Sequence, residues 1–135
     1  MERIGELFSS HPQRPPNPSL IEACTTACYA CCSLCASCSD ACLGEDHVAD
    51  LVCCVRTCLD CSDVCLATAH IVARLTRPSP MLVEAQLMAC VKACRVCAEE
   101  CEDHAARHEY CRVCAAACRS CEQACRALLH GTSLM

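Results

Sequence analysis

The stretch CTTACYACCSLCASCSDAC, residues 24–42, decides the fold. Cys24, Cys28, Cys31, Cys35, Cys38 and Cys42 step by 4, 3, 4, 3 and 4, with Cys32 as an extra beside Cys31. That rhythm is the inward seam of a helix bundle, a stripe normally filled by Leu and Ile. Here thiols fill it, so a face that should supply hydrocarbon presents a column of soft ligand atoms.

Three more clusters repeat the device. Cys54, Cys58, Cys61 and Cys65 step by 4, 3 and 4, with Cys53 as the extra. Cys90, Cys94, Cys97 and Cys101 do the same, and Cys111, Cys114, Cys118, Cys121 and Cys125 step by 3, 4, 3 and 4. Four seams predict an all-α chain, an antiparallel four-helix bundle with a Cys-lined core. Many Ala residues on the other faces allow close helix approach or packing between subunits.

The punctuation divides the chain into residues 1–17, 18–131 and 132–135. Residues 1–17 read as an extension, with Ile4, Leu7 and Phe8 on a short amphipathic helix and a Pro-rich linker from His11 to Pro18. Ser19 with Glu22 forms a capping box at the start of the first long helix, and Gly44 is placed to stop it. The second helix is expected from Glu45 or Asp46 to about Leu75 or Thr76. Ser79-Pro80 opens the third, with Ser at the N-cap and Pro at the first position. Between Met81 and His130 there is neither Gly nor Pro. One helix over that span would be ~75 Å long, too long for a compact chain of 135 residues. A turn is therefore expected near residues 104–108, where the 4-3 rhythm breaks, and Gly131 is expected to end the last helix.

Composition narrows the function. The net charge is −5, Trp is absent, and Phe8, Tyr29 and Tyr110 are the only aromatic residues. Phosphate contacts and base-stacking platforms are both missing, which excludes a nucleic-acid partner. No membrane span is expected, because charged and polar residues interrupt every long apolar run. The 21 cysteines first suggest a disulfide scaffold. Their odd number, helical spacing and the lack of a signal sequence at Met1–Glu6 point instead to reduced thiols in a cytoplasmic protein.

Burial alone does not explain so much sulfur, since Leu would stabilise a core better by about 0.8 kcal/mol per extra CH₂. Thiolates are soft ligands for Cu(I), zinc or iron–sulfur clusters. A zinc ion held by four thiolates keeps two net negative charges, which is costly when repeated in a dry core. A monovalent Cu(I) held by two thiolates, each shared by two ions, gives about one ion per cysteine and near-neutrality. Cysteines at i, i+3 and i+4 have Cβ atoms about 5–6 Å apart, within reach of one ion. The capacity by this count is on the order of 20 Cu(I). An iron–sulfur electron-transfer protein is an alternative, since Cys28, Cys31, Cys35 and Cys38 mimic short ferredoxin runs, although no cysteine precedes Pro. A zinc or general thiol buffer is another. Nothing singles out a catalytic cysteine, so no enzyme activity is expected.

Four helices lined by C-x₃-C-x₂-C-x₃-C steps resemble the bacterial copper storage proteins, over about residues 19–131. The resemblance implies many Cu(I) ions held by thiolate pairs inside a four-helix bundle, a homotetramer and no catalytic activity. The absence of Met from the cysteine stretches matches the family's cytosolic members. A copper chaperone is a candidate donor.

The two ends of such a bundle differ. Leu20, Ile21, Val72, Leu75, Leu82, Val83, Leu87, Leu128 and Leu129 are expected to close one end. His104 and His108 continue the third seam at the other, with His47 and Asp50 nearby. That end is the expected mouth, where neutral imidazole takes Cu(I) from a donor. Cys42 is expected near it and Cys24 deep beside the hydrocarbon. His11, His70 and His130 are expected on the surface.

Overall fold

The computed structural model describes residues 2–131; the tail expected at 132–135 lies outside them. Helix α1 spans Glu2–Ser10, α2 Pro18–Leu43, α3 Val52–Val72, α4 Pro80–His104 and α5 Glu109–Gly131, with a 3₁₀ turn at Val48–Leu51 before α3. Helices α2 to α5 form a square: α2 packs on α3 and α5, and α4 packs on α3 and α5. Among the described residues the diagonal pairs α2/α4 and α3/α5 make no close backbone contact. The centre of the square is left to side chains, and those side chains are thiols.

The turn expected near 104–108 is present, between α4 and α5. Several boundaries differ from expectation. Helix α2 starts two residues earlier than a Ser19 cap implies, at Pro18, and its N-cap is Asn17 rather than Ser19. Asn17 sits in the left-handed region at φ 53°, which Asn tolerates better than most residues. Its carbonyl accepts from the Leu20 and Ile21 amides, and Pro18 loses nothing by lacking an N–H at that position. Its side-chain amide donates to the Gly131 carbonyl, tying α2 to the end of α5. Glu22 is turned instead toward α1: a Cβ on Gly5 would come within 2.5 Å of Glu22 Oε1.

Neither Gly44 nor Gly131 adopts a left-handed stop. Gly44 has φ −85° and leads into the 3₁₀ turn, so α3 begins at Val52 rather than Glu45 or Asp46, and it ends at Val72 rather than Leu75 or Thr76. Leu51 is fully buried at this junction. Gly131 remains helical, and its missing side chain makes room for Leu20, whose Cδ1 would lie 2.7 Å from an added Cβ.

The hydrocarbon end forms largely as expected. Ile21, Val72, Leu75, Val83, Leu87 and Leu128 are buried, and Leu20 and Leu129 pack partly against them. Leu82 does not belong to it; it faces solvent at 53% exposure. Thr25 and Thr68 are buried without orphaned hydroxyls, each donating to the carbonyl four residues back. Helix α1 lies over this end, with Phe8 against the core and His11 Nε2 3.3 Å from Thr76 Oγ1. On the outer surface α4 and α5 are joined by Arg95 to the largely buried Glu122 and by Arg119 to Glu102, while Arg119 and Arg126 also flank Glu122 within α5. Helix α2 is long and apolar enough to cross a membrane by length and composition, contrary to the sequence reading. Its high hydropathy comes from cysteines whose stripe is packed inside the bundle.

Candidate metal centre

The four seams meet as the 4-3 spacing requires. Of the 21 cysteines, 19 are buried, and all are free thiols. The other two are the extras, Cys32 one position after Cys31 and Cys53 one position before Cys54. Cys32 is half-buried against Ser62 on α3, with Sγ 3.4 Å from Oγ, and Cys53 is exposed. A helix turns about 100° per residue, so a residue next to a seam position cannot share its face.

Inside the column, neighbouring sulfurs lie between 3.6 and 4.0 Å apart. The contacts cross the square: Cys35 reaches Cys97 from α2 to α4 at 3.9 Å, and Cys65 reaches Cys121 from α3 to α5 at 3.9 Å. Groups of four sulfurs fall within 4.8 Å of one another along the axis. They include Cys28, Cys90, Cys121 and Cys125; Cys31, Cys65, Cys94 and Cys121; and Cys38, Cys54, Cys58 and Cys101. The groups overlap. Cys31, Cys35, Cys118 and Cys121 each belong to two, so single sulfurs stand where they can bridge two ions.

Thiol–thiol hydrogen bonds spread charge unevenly along the column. Cys24, deep beside the hydrocarbon, is pulled down to about 5 by hydrogen bonds from Cys125 and then Cys28. Cys125 is pushed up, first by Cys121 and then by Cys24. A sulfur that accepts from its neighbours holds charge at their expense. Toward the other end burial dominates, and Cys42 and Cys111 are pushed up to about 11 and about 12. These thiols are protonated at neutral pH and must release protons to bind a metal.

The expected mouth residues divide between two corners. His108 does not pair with His104. Its ring stacks on His47, with the two Nε2 atoms 3.3 Å apart. Its Nδ1 is 3.1 Å from Glu45 Oε2, and the same oxygen accepts from the Tyr110 hydroxyl at 2.8 Å. A carboxylate on Nδ1–H fixes the tautomer and turns the Nε2 lone pair outward, as in the second shell of metal-binding histidines. The Tyr110 ring stacks on His108 and borders the Cys42 thiol. Burial and then the bond to Glu45 push its phenol pKa up. His104 is buried on the other side, with Nε2 2.8 Å from Glu100 Oε2. Asp50 is exposed in the 3₁₀ turn. His70 and His130 are exposed, whereas His11 is half-buried under α1.

Sequence reasoning missed Glu45, Glu100, Tyr110 and Leu51. Leu51 continues the α3 seam three residues before Cys54 and is buried accordingly, and Glu45 continues the α2 rhythm three residues after Cys42, so the spacing could have found both. Glu100 and Tyr110 each sit one position before a seam cysteine and carry no such signal.

The copper storage protein family model matches residues 17–130. The copper storage protein Ccsp from Streptomyces lividans, loaded with 10 copper equivalents, superposes with a TM-score of 0.93 at 44% identity. That match covers 96% of this chain and 99% of that one. A second structure, of copper loading to a cytosolic copper storage protein from Streptomyces lividans with five coppers, matches at 49% identity and a TM-score of 0.83. It covers 85% of this chain and 96% of that one. No curated protein matches the chain.

Proposed function

The chain belongs to the copper storage protein family, and from that premise we propose that it stores copper as Cu(I) in the thiol column. One observation carries this reading: 19 buried free thiols arranged in overlapping groups of four. Overlap lets each sulfur serve two ions, which brings the filled core close to neutrality with about one Cu(I) per core thiol. Residues 18–131 are the storage unit and residues 1–17 an extension over its closed end.

The mouth lies at His47 and His108. Two imidazole nitrogens meet there, and Glu45 holds the His108 ring. Copper passes from these nitrogens to the first thiols and then inward by exchange between shared sulfurs. His104 lines the opposite corner; Asp50 is an outlying acidic residue. A copper chaperone with exposed thiols is a suitable donor. The role is sequestration in the cytosol, without catalysis. The assembly is a homotetramer, which the outward-facing Leu59, Leu66 and Val96 would help to hold.

The test is an anaerobic titration of the reduced protein with Cu(I) against a competing chelator. The expected result is saturation near one ion per core thiol, with no visible colour. Saturation at four or five divalent ions would replace this reading with a zinc buffer. A brown protein with acid-labile sulfide would replace it with electron transfer. Light scattering on the same samples tests the tetramer.

A further inference from the structure

A second donor set lies outside the column, in the groove between α3 and α4. Cys54 and Cys101 meet in the core, sulfur to sulfur, at 3.8 Å. Packing these two helices at that contact brings the preceding residues, Cys53 and Glu100, together on the outside of the groove. Cys53 is the one exposed cysteine of the 21, and Glu100 is half-buried. The Glu100 carboxylate faces the Cys53 thiol and raises its pKa. One turn further along α4, buried His104 brings Nε2 to 2.8 Å from Glu100 Oε2. The carboxylate therefore stands between a thiol and an imidazole.

These donors differ from those of the column. They are one sulfur, one oxygen and one nitrogen, and two of the three are anionic when bound to a metal. A monovalent ion would leave the set negative, whereas a divalent ion makes it neutral. The charge count that fits the all-thiol column to Cu(I) thus fits this set to a different ion. Zinc accepts Cys sulfur, His nitrogen and carboxylate oxygen together, and with three protein ligands it keeps a fourth position for water. The groove is open to solvent at Cys53, so water can fill that position.

We infer that Cys53, Glu100 and His104 form a site for one divalent ion of the zinc class on the flank of the bundle, separate from the copper column. As the incoming ion takes His104 Nε2 and Glu100, the ring hydrogen between them moves to Nδ1, and the Cys53 proton leaves to solvent. The contact to Nδ1 from the exposed Arg107, long at 3.5 Å, opens. Because His104 continues the α4 seam beyond Cys101, an ion here also covers one corner of the column. Zinc bound at the flank therefore slows copper uptake, a consequence that rests on the storage reading above.

The experiment fills the reduced protein anaerobically with Cu(I) and then adds Co(II) as a coloured probe for the zinc class. The expected result is one equivalent of Co(II) with tetrahedral visible bands and a thiolate-to-cobalt charge-transfer band, displaced by Zn(II). Both Cys53→Ser and Glu100→Gln lose it. Absence of Co(II) binding to the copper-filled protein, or binding unchanged in both variants, overturns the flank site. Failure of the column shows separately, as missing copper uptake in the first step. In that case the comparison is made on the reduced apo-protein, where Cys53→Ser must bind one Co(II) fewer than wild type; equal binding overturns the site.

Discussion

The two ends of the bundle are built on the same helical seams and carry opposite chemistry. At the closed end the seam positions hold Ile21, Val72, Leu87 and Leu128, all at most 2% exposed. At the mouth they give way to His104 and His108, held by Glu100 and Glu45. Between them runs sulfur, which buries less hydrocarbon than Leu would and contributes less to folding. Hydrocarbon packing is therefore concentrated at one end, and the metal exchange proposed above at the other.

That division can be broken most forcibly at the closed end. Leu128→Ala, at a fully buried position, should cost about 2–5 kcal/mol by loss of burial and creation of a cavity. Denaturant melts of the apo-protein should show the loss, while copper capacity of the folded variant stays unchanged. The complementary change is Cys35→Ala. Cys35 lies in two of the four-sulfur groups, so capacity should fall by at least one ion. Apo stability should fall by only about 1 kcal/mol, in proportion to the smaller volume removed. Equal stability losses in the two variants would dissolve the distinction between the plug and the column.

A smaller effect separates the column's mouth from its depth. Cys42 and Cys111 rise from an ordinary value of 9.0 to about 11 and about 12, chiefly by burial. The fold therefore favours their neutral thiols. Their contribution is fully present below pH 9 and lost as pH rises through about 11 and then about 12. Anaerobic unfolding of the apo-protein should accordingly weaken over that window. Copper-filled protein, with its thiols already deprotonated by the metal, should not show the same decline. A flat apo profile across the window would mean these two sulfurs are not held neutral.

The thiol column was legible because periodicity alone fixes it. A 4-3 spacing repeated in four segments can face inward in only one way, and the structure buries every seam cysteine. The extras Cys32 and Cys53 were carried along with the seams, although a neighbour of a seam residue has to point elsewhere. The mouth was only half legible. His104 and His108 share a phase on paper, but α4 ends at His104 and α5 begins at Glu109. The turn sends the two rings to different corners. What holds each ring is set by tertiary approach: Glu45 comes from the α2–α3 connection, and Glu100 from the outer face of α4. Boundaries erred for a related reason. Ser19 and Glu22 satisfy a local capping pattern, but α1 folds back over the hydrocarbon end and Glu22 lies against Gly5.

The finest distinction lies within the mouth itself, between the nitrogens that meet the ion and the groups that aim them. Removing both rings, with His47→Ala and His108→Ala together, should slow Cu(I) uptake in stopped-flow measurements without changing capacity. Glu45→Gln should act more weakly, by about tenfold, the lower end of the range for groups that orient metal-binding histidines. The amide still accepts from His108 Nδ1–H and from Tyr110, so the ring keeps its place; what it loses is the negative charge that makes Nε2 a better donor. Tyr110→Phe should act less again, because it removes one hydrogen bond to Glu45 and leaves the stacked ring. If Glu45→Gln slowed uptake as much as the double histidine change, the carboxylate itself would be binding the ion, and the mouth would be a three-donor site rather than a pair of imidazoles with a support.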